Sequence, residues 1–124
     1  MRDDLVNLYA SVNWQRYNAD PDTLLRALAA SDVVIAVDDD VLVGLARAVS
    51  DGETIVYIQD VLVRPEFQRQ RVATQLIEWL LQPYESVRQK VLLTDDEDVQ
   101  RAFYESLGFT LVEGNLRAFY RFDN

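Results

Sequence analysis

The chain has 124 residues, the length of one ordinary domain, and 49% of them are hydrophobic, so a packed core is within reach and a disordered polymer is excluded. It has no cysteine and no histidine, which excludes disulfides, thiolate metal sites, the commonest zinc ligand and the usual general base. Twelve basic against 21 acidic residues give a formal charge of −9, which repels nucleic acid and attracts cations such as polyamines, basic peptides or amine-bearing small molecules; acidity also serves solubility alone.

The opening MRDDLVNLYASVNW is too polar for a secretory leader, and no apolar run approaches the roughly 18 residues of a membrane span. The expectation is a cytoplasmic protein with neither a membrane nor a nucleic-acid partner. Leu5, Leu8, Tyr9 and Val12 recur at helical spacing and predict a first helix over residues 4–14. Asp20-Pro21 is a helix start, with Asp20 as cap and Pro21 at the first helical position. Leu24, Leu25, Leu28 and Ala29 line the helix that follows, which ends before Ser31. Residues 33–37, 41–49 and 54–63 read as strands, with turns at 38–40 and 50–52, and together predict an antiparallel meander.

The next stretch, residues 63–81, reads VRPEFQRQRVATQLIEWLL. It is a strand end, a turn and a helix whose buried face is Val72, Ala73, Leu76, Ile77, Leu80 and Leu81, limited by Pro83. A strand over 87–94, a helix over 98–107 ended by Gly108, and strands over 109–112 and 116–122 around a turn at 113–115 complete the order ααβββαβαββ. The strand–helix–strand piece 54–94 implies a right-handed crossover and parallel pairing. No repeat or linker divides the chain, so residues 1–124 read as a single α+β domain with a mixed, mostly antiparallel sheet and helices on its faces.

The turn before the long helix carries an unresolved charge problem. Between Pro65 and Ala73 no Ser, Thr, Asp or Asn is available to cap the helix, whose first N–H groups lack intrahelical partners. Arg64, Arg69 and Arg71 crowd that end, where the helix dipole is already positive. Two readings fit: the arginines pair with Glu66 and other carboxylates, or a phosphate-bearing ligand takes the free N–H groups and reverses the sign of the interaction.

The residues VLVRPEFQRQRVATQLIEWLL, followed by RAFYESLGF at 101–109, resemble the GNAT superfamily of N-acetyltransferases. That family's turn pattern is Gln/Arg-x-x-Gly-x-Gly/Ala, and its N–H groups hold the pyrophosphate of acetyl-coenzyme A. Gln68 fills the first position and Ala73 the last, while Arg71 stands where the family usually has glycine. A right-handed helical backbone at Arg71 requires no forbidden dihedral; its guanidinium then either folds over a phosphate or blocks the pocket. The resemblance covers about residues 5–122. It implies the GNAT-like sheet with its first strand missing or very short, because residues 1–3 cannot form one.

The resemblance further implies acetyl-CoA as co-substrate, held by Val61, Leu62, Val63, Gln68, Arg69, Gln70, Arg71, Val72, Ala73 and Thr74, with no metal. The strand carrying Val61 and Val63 parts from its parallel neighbour to admit the pantetheine arm, and the N–H near Leu62 is a candidate oxyanion donor. The acceptor is an amine-bearing small molecule or polypeptide, cationic in keeping with the acidic chain. Tyr104, within the FYxxxGF-like motif, is implied as the acid for the departing thiolate; it also reads as a packed helix aromatic. Asp60 interrupts an apolar strand and is the leading candidate base, with a β-bulge as the competing explanation. Glu53 is a weaker alternative, and a bound water needs neither. Trp14, Tyr17 and Asp20 are candidates for an acceptor pocket that suits a cation, or for edge packing. A homodimer through residues 116–122 is also implied. The competing functions are a degraded module of this fold that binds coenzyme A without turnover, and a protein-interaction domain.

Overall fold

A computed structural model of the chain describes residues 1–12 and 20–123. Its contacts divide into two compact units, Met1–Leu93 and Thr94–Asn124. The first unit begins with α1 (Arg2–Ser11) and α2 (Pro21–Ala29). Asp20 caps α2 as expected. Its carboxylate accepts the Thr23 N–H at 3.2 Å and the Thr23 hydroxyl at 2.6 Å, with Pro21 as the first helical residue.

Three antiparallel strands follow: β1 (Asp32–Asp38), β2 (Val41–Ser50) and β3 (Ile55–Val63). The β1–β2 turn places Asp39 and Asp40 both at positive φ, 51° and 67°. That is the turn geometry whose twist matches flanking antiparallel strands, and aspartate tolerates it better than most residues. After the crossover helix α3 (Val72–Leu81), β4 (Gln89–Leu92) pairs parallel to β3, giving the sheet order β1-β2-β3-β4. The expected meander and crossover are both present. The last of these strands is shorter than the 87–94 read from sequence, because its register with β3 runs only from Ile55↔Gln89 to Ile58↔Leu92.

Two layers of helix cover this sheet. Leu8 and Tyr9 of α1, Leu24 and Leu28 of α2, and Leu42, Leu45 and Leu62 of the sheet form one buried cluster, with Leu5, Val12 and Leu25 at its margin. The apolar spacing of the first two helices therefore marked their buried faces. Successive strand residues point to opposite faces, so Gly44, the neighbour of Leu45, faces the other way. A Cβ there would lie 3.0 Å from Leu76 Cδ1 and 3.3 Å from Val72 Cγ1. Glycine at this position lets the first turn of α3 settle close against β2. No helix among the described residues is long and apolar enough to cross a membrane.

The second unit contains α4 (Asp98–Ser106). Gly108, at φ 94°, donates to the Glu105 carbonyl, and Phe109 N–H donates to Tyr104, so the helix ends in a paired left-handed cap as its glycine predicts. The expected strands over 109–112 and 116–122 are absent. The turn between them exists, with Gly114 at φ 67°. Two short segments around a tight turn are only marginally stable unless they join a larger sheet, and the described sheet ends at β4. Phe119 is 94% exposed and Phe122 77%.

The turn into β3 rests on one carboxylate. Asp51 accepts the N–H groups of Glu53, Thr54 and Ile55 at 2.9, 2.8 and 3.2 Å and the Thr54 hydroxyl at 2.6 Å. The Thr54 hydroxyl and N–H, then the remaining N–H groups, hold its pKa far below the usual carboxylate range. A pKa depressed by folding adds stability above the unfolded value, about pH 3.9, and that contribution fades as pH falls toward the folded value. Thermal melts of wild type and Asp51→Ala should therefore differ most at neutral pH and converge below about pH 4. A difference that stays constant through the acid range contradicts this account of the turn.

Candidate functional site

β3 has a partner on each side for only part of its length. On the β2 side the register runs Ser50↔Val56, Val49↔Tyr57 and Ala48↔Ile58, then steps to Arg47↔Asp60. Gln59 is the extra residue, so the strand bulges at the place where the sequence offered Asp60 as either a base or a bulge marker. On the β4 side pairing stops at Ile58↔Leu92, immediately before that bulge. From Gln59 to Val63 the strand has no β4 partner.

The direction of the unpaired groups follows from strand alternation. Arg64 N–H donates to the Val43 carbonyl at 2.8 Å. The main-chain groups of Leu62, opposite Leu45, then also face β2, and those of Val61 and Val63 face away from it. The Val63 carbonyl already accepts the Gln68 side-chain amide at 3.1 Å. Val61 is thus the residue whose main chain is best placed to receive an added partner. Leu62, the sequence's candidate for an N–H donor, contributes instead a buried side chain to the core.

A single turn of 3₁₀ helix, Pro65–Phe67, links β3 to the loop. Gln68, Arg69, Gln70 and Arg71 are exposed; Val72, Ala73 and Thr74 are half-buried. Arg71 is the N-cap residue of α3, and no side-chain hydrogen bond caps the helix. The Gln75 N–H reaches the Arg71 carbonyl at 3.1 Å, so the N–H groups of Val72, Ala73 and Thr74 precede the helical ladder.

The backbone of this loop corrects one expectation. Arg71 is not right-handed: it sits at φ 65°, ψ 16°, and Arg69 at φ 66°. Left-handed backbone costs a side-chain-bearing residue roughly 1–2 kcal/mol, which is why glycine is usual at such a position. Arginine here keeps the glycine's conformation at that cost. Backbone of alternating handedness gathers successive N–H groups into an anion-binding concavity, and strain of this kind persists mainly at ligand sites.

The arginines divide. Arg64 turns its Nε to the Leu42 carbonyl at 2.6 Å and braces the end of β2. Among the described residues, no carboxylate lies within ion-pairing distance of Arg69 or Arg71, Glu66 included. Of the two readings of the charge cluster, internal pairing is the one these distances do not support.

Asp60 is 2% exposed. Its Oδ2 accepts Arg47 Nε at 2.8 Å and the Tyr9 hydroxyl at 2.9 Å, and Arg47 also donates to Ser31 Oγ at 3.3 Å. Arg47 and Tyr9 escaped the sequence reading. The signal was a lone basic residue in the apolar run VLVGLARAV, on a strand paired with the one bearing the lone acid. Glu53 is exposed in the turn before β3. The Asp20 carboxylate is taken up by its helix cap, and Trp14 and Tyr17 lie outside the described residues.

In the second unit Tyr104 is half-buried on α4. Its ring meets Phe103 edge-on at 4.9 Å and Phe109 at 6.0 Å. Burial pushes its phenol above the ordinary value, so it remains a proton donor throughout the neutral range. An open groove lined by Glu78, Trp79, Leu81, Gln82, Glu85 and Lys90 lies toward the opposite end of α3 from the loop.

Comparison with known proteins follows this geometry. The model of the acetyltransferase (GNAT) family matches residues 2–109. A solved GNAT-family acetyltransferase from Streptococcus pneumoniae TIGR4 is 29% identical, with a TM-score of 0.78 over 96% of this chain and 91% of that one. A GNAT-family protein from Xanthomonas campestris pv. campestris is 25% identical, with a TM-score of 0.74 over 87% and 76%. The aminoglycoside N-acetyltransferase AAC(6')-Iy, in complex with the bisubstrate analogue CoA-S-monomethyl-acetylneamine, is 25% identical, with a TM-score of 0.64 over 99% and 89%. No protein of curated function matches the chain at a significant level.

Two stability predictions follow. Arg71→Gly should hold or raise stability by about 1 kcal/mol in urea denaturation, while Arg71→Val, β-branched at positive φ, should lose about 1–2 kcal/mol; the reverse order contradicts the left-handed assignment. Arg47→Met strands a buried carboxylate and should cost about 3–5 kcal/mol, most of which Arg47→Met/Asp60→Leu should recover. A double variant no more stable than the single one contradicts a desolvation-limited ion pair.

Proposed function

Because the chain belongs to the acetyltransferase (GNAT) family, we propose that residues 1–124 act as one acetyl-CoA-dependent N-acetyltransferase domain, with a primary amine attacking the thioester directly in a ternary complex. The observation that carries this reading is the start of α3, where the helix has no side-chain cap and two arginines hold left-handed backbone without an acidic partner among the described residues. A diphosphate satisfies several N–H groups at once and complements both the dipole and the guanidinium groups.

In this reading Gln68, Arg69, Gln70, Arg71, Val72, Ala73 and Thr74 hold the diphosphate of acetyl-CoA. The pantetheine arm lies along β3 beyond the bulge, pairing with the main chain of Val61 as an added strand does. Val63 offers less, since its carbonyl is engaged by Gln68. Bound acetyl-CoA supplies the activated acyl group.

The chemistry requires a new N–C bond and loss of the C–S bond. The acceptor's ammonium group first gives a proton to a water path; the free amine nitrogen then attacks the thioester carbon and loses its second proton by the same path as the C–S bond breaks. Charge that develops on the carbonyl oxygen is met by a main-chain N–H of β3, for which Val61 is the best-directed donor. The Tyr104 phenol protonates the departing thiolate and recovers its proton from solvent; burial raises its pKa, so the phenol is protonated at neutral pH when the thiolate leaves. Asp60 is engaged by Arg47 and Tyr9, which supports a structural role for it over that of the base. The acceptor is a cationic amine on a small molecule or polypeptide, in keeping with a net charge of −9.

Calorimetry with acetyl-CoA and a thiol-release assay over an amine panel test the reading together. Saturable binding with turnover is expected. Tyr104→Phe should keep cofactor affinity and lose about 10²-fold in kcat; normal turnover in that variant contradicts the acid role. Binding without turnover on any amine favours a non-catalytic coenzyme A module, and absence of binding contradicts the reading altogether.

A further inference from the structure

The bulge and the buried ion pair are the same feature seen from two directions. Without an extra residue at Gln59, continuing the register from Ala48↔Ile58 would bring Gln59 opposite Arg47 and Asp60 opposite Ala46. Directly opposed residues share a face of the sheet, and a shift of one residue moves every side chain to the other face. Asp60 would then leave the face of Tyr9, Leu45 and Leu62 and turn toward the other side. Its carboxylate would lose both Arg47 Nε and the Tyr9 hydroxyl. A buried carboxylate without partners is heavily penalised, so the cluster selects the bulged register over the regular one.

The bulge in turn coincides with the end of β3–β4 pairing at Ile58↔Leu92. Bulges bend the strand that carries them and terminate pairing. We propose that Arg47, Asp60 and Tyr9 form a positioning cluster that fixes where β3 leaves β4, and so sets the main-chain edge at Val61 and Val63 against which an acyl-CoA arm is held. Asp60 acts through the backbone it anchors and does not exchange a proton with the substrate. The use of that edge by acyl-CoA rests on the acetyltransferase reading; the control of strand geometry by the cluster does not.

The experiment compares wild type with Arg47→Met/Asp60→Leu, which removes both charges while filling their space, and with Asp60→Asn. Each is read by residue-resolved amide hydrogen exchange, acetyl-CoA calorimetry and the pH profile of kcat. In the double variant, exchange should change at Gln59, Val61 and Val63 while the β1–β2 amides hold their wild-type values. Its acetyl-CoA Kd should rise about tenfold, the equivalent of one or two main-chain hydrogen bonds. Asp60→Asn should weaken cofactor binding and leave the shape of the kcat–pH profile unchanged.

Unchanged exchange across 59–63 in a folded double variant overturns the proposal. So does an Asp60→Asn variant that binds acetyl-CoA normally but loses kcat together with one ionisation limb, since that is the signature of a base. If wild type binds no acetyl-CoA, the acetyltransferase reading fails and the exchange comparison alone decides the cluster's role. If the double variant does not fold, Tyr9→Phe decides on the same exchange and affinity readouts, with an expected rise in Kd of about threefold; wild-type values in both overturn the proposal.

Discussion

The first turn of α3 presents main-chain donors that no side chain among the described residues caps. Everything around them favours an incoming anion and opposes an internal solution. Residues 66–71 offer one carboxylate, Glu66, and it pairs with neither Arg69 nor Arg71. The loop holds those two arginines in backbone that costs each of them energy. Gly44 allows the same helical turn to sit against β2, so the donors are held on a packed element and not on a free loop. A rigid, uncapped helix start is a site for phosphate in general chemical terms, and the rest of the fold gives it a direction.

That direction comes from the sheet. β3 is held along its β2 side from Val56 to Val63 and along its β4 side only to Ile58. The bulge at Gln59 separates these two regimes, and a buried ion pair lies directly beside it. The unpaired main chain then runs through Val61 and Val63 toward the short 3₁₀ turn that leads into the loop. In the proposed reading, a ligand with a charged diphosphate at one end and an extended amide-bearing arm at the other lies along those groups. The donors belong to the backbone, which Arg71 holds at left-handed φ despite its side chain.

Much of this was legible in the residues. Apolar spacing at Leu5, Leu8 and Leu24, Leu28 gave the buried faces of the first two helices, Asp20-Pro21 gave a helix start, and the aspartates at 38–40 gave a turn. Gly108 gave the end of the last helix. Each of these is a local rule with a local cause. The failures have causes as well. Residues 109–112 and 116–122 carry strand-like side chains, yet a hairpin needs a sheet to join, and strand propensity does not supply one.

The site was legible as a loop but not as a mechanism. Gln68 and Ala73 marked the turn, while the left-handed backbone at Arg69 and Arg71 could not be read from arginine, which ordinarily avoids it. Asp60 stood out as an acid in an apolar strand, and the sequence left base and bulge as equal explanations. Only the register identified its partner as Arg47, because cross-strand pairing depends on a one-residue step that composition does not record. The central claim is that the amides from Arg69 to Thr74 receive the diphosphate of an acyl carrier. An amide-detected NMR titration with acetyl-CoA tests it most directly. The account predicts saturable shifts concentrated in those residues and in Val61; shifts confined to other parts of the chain, with the start of α3 unmoved at saturation, would contradict it.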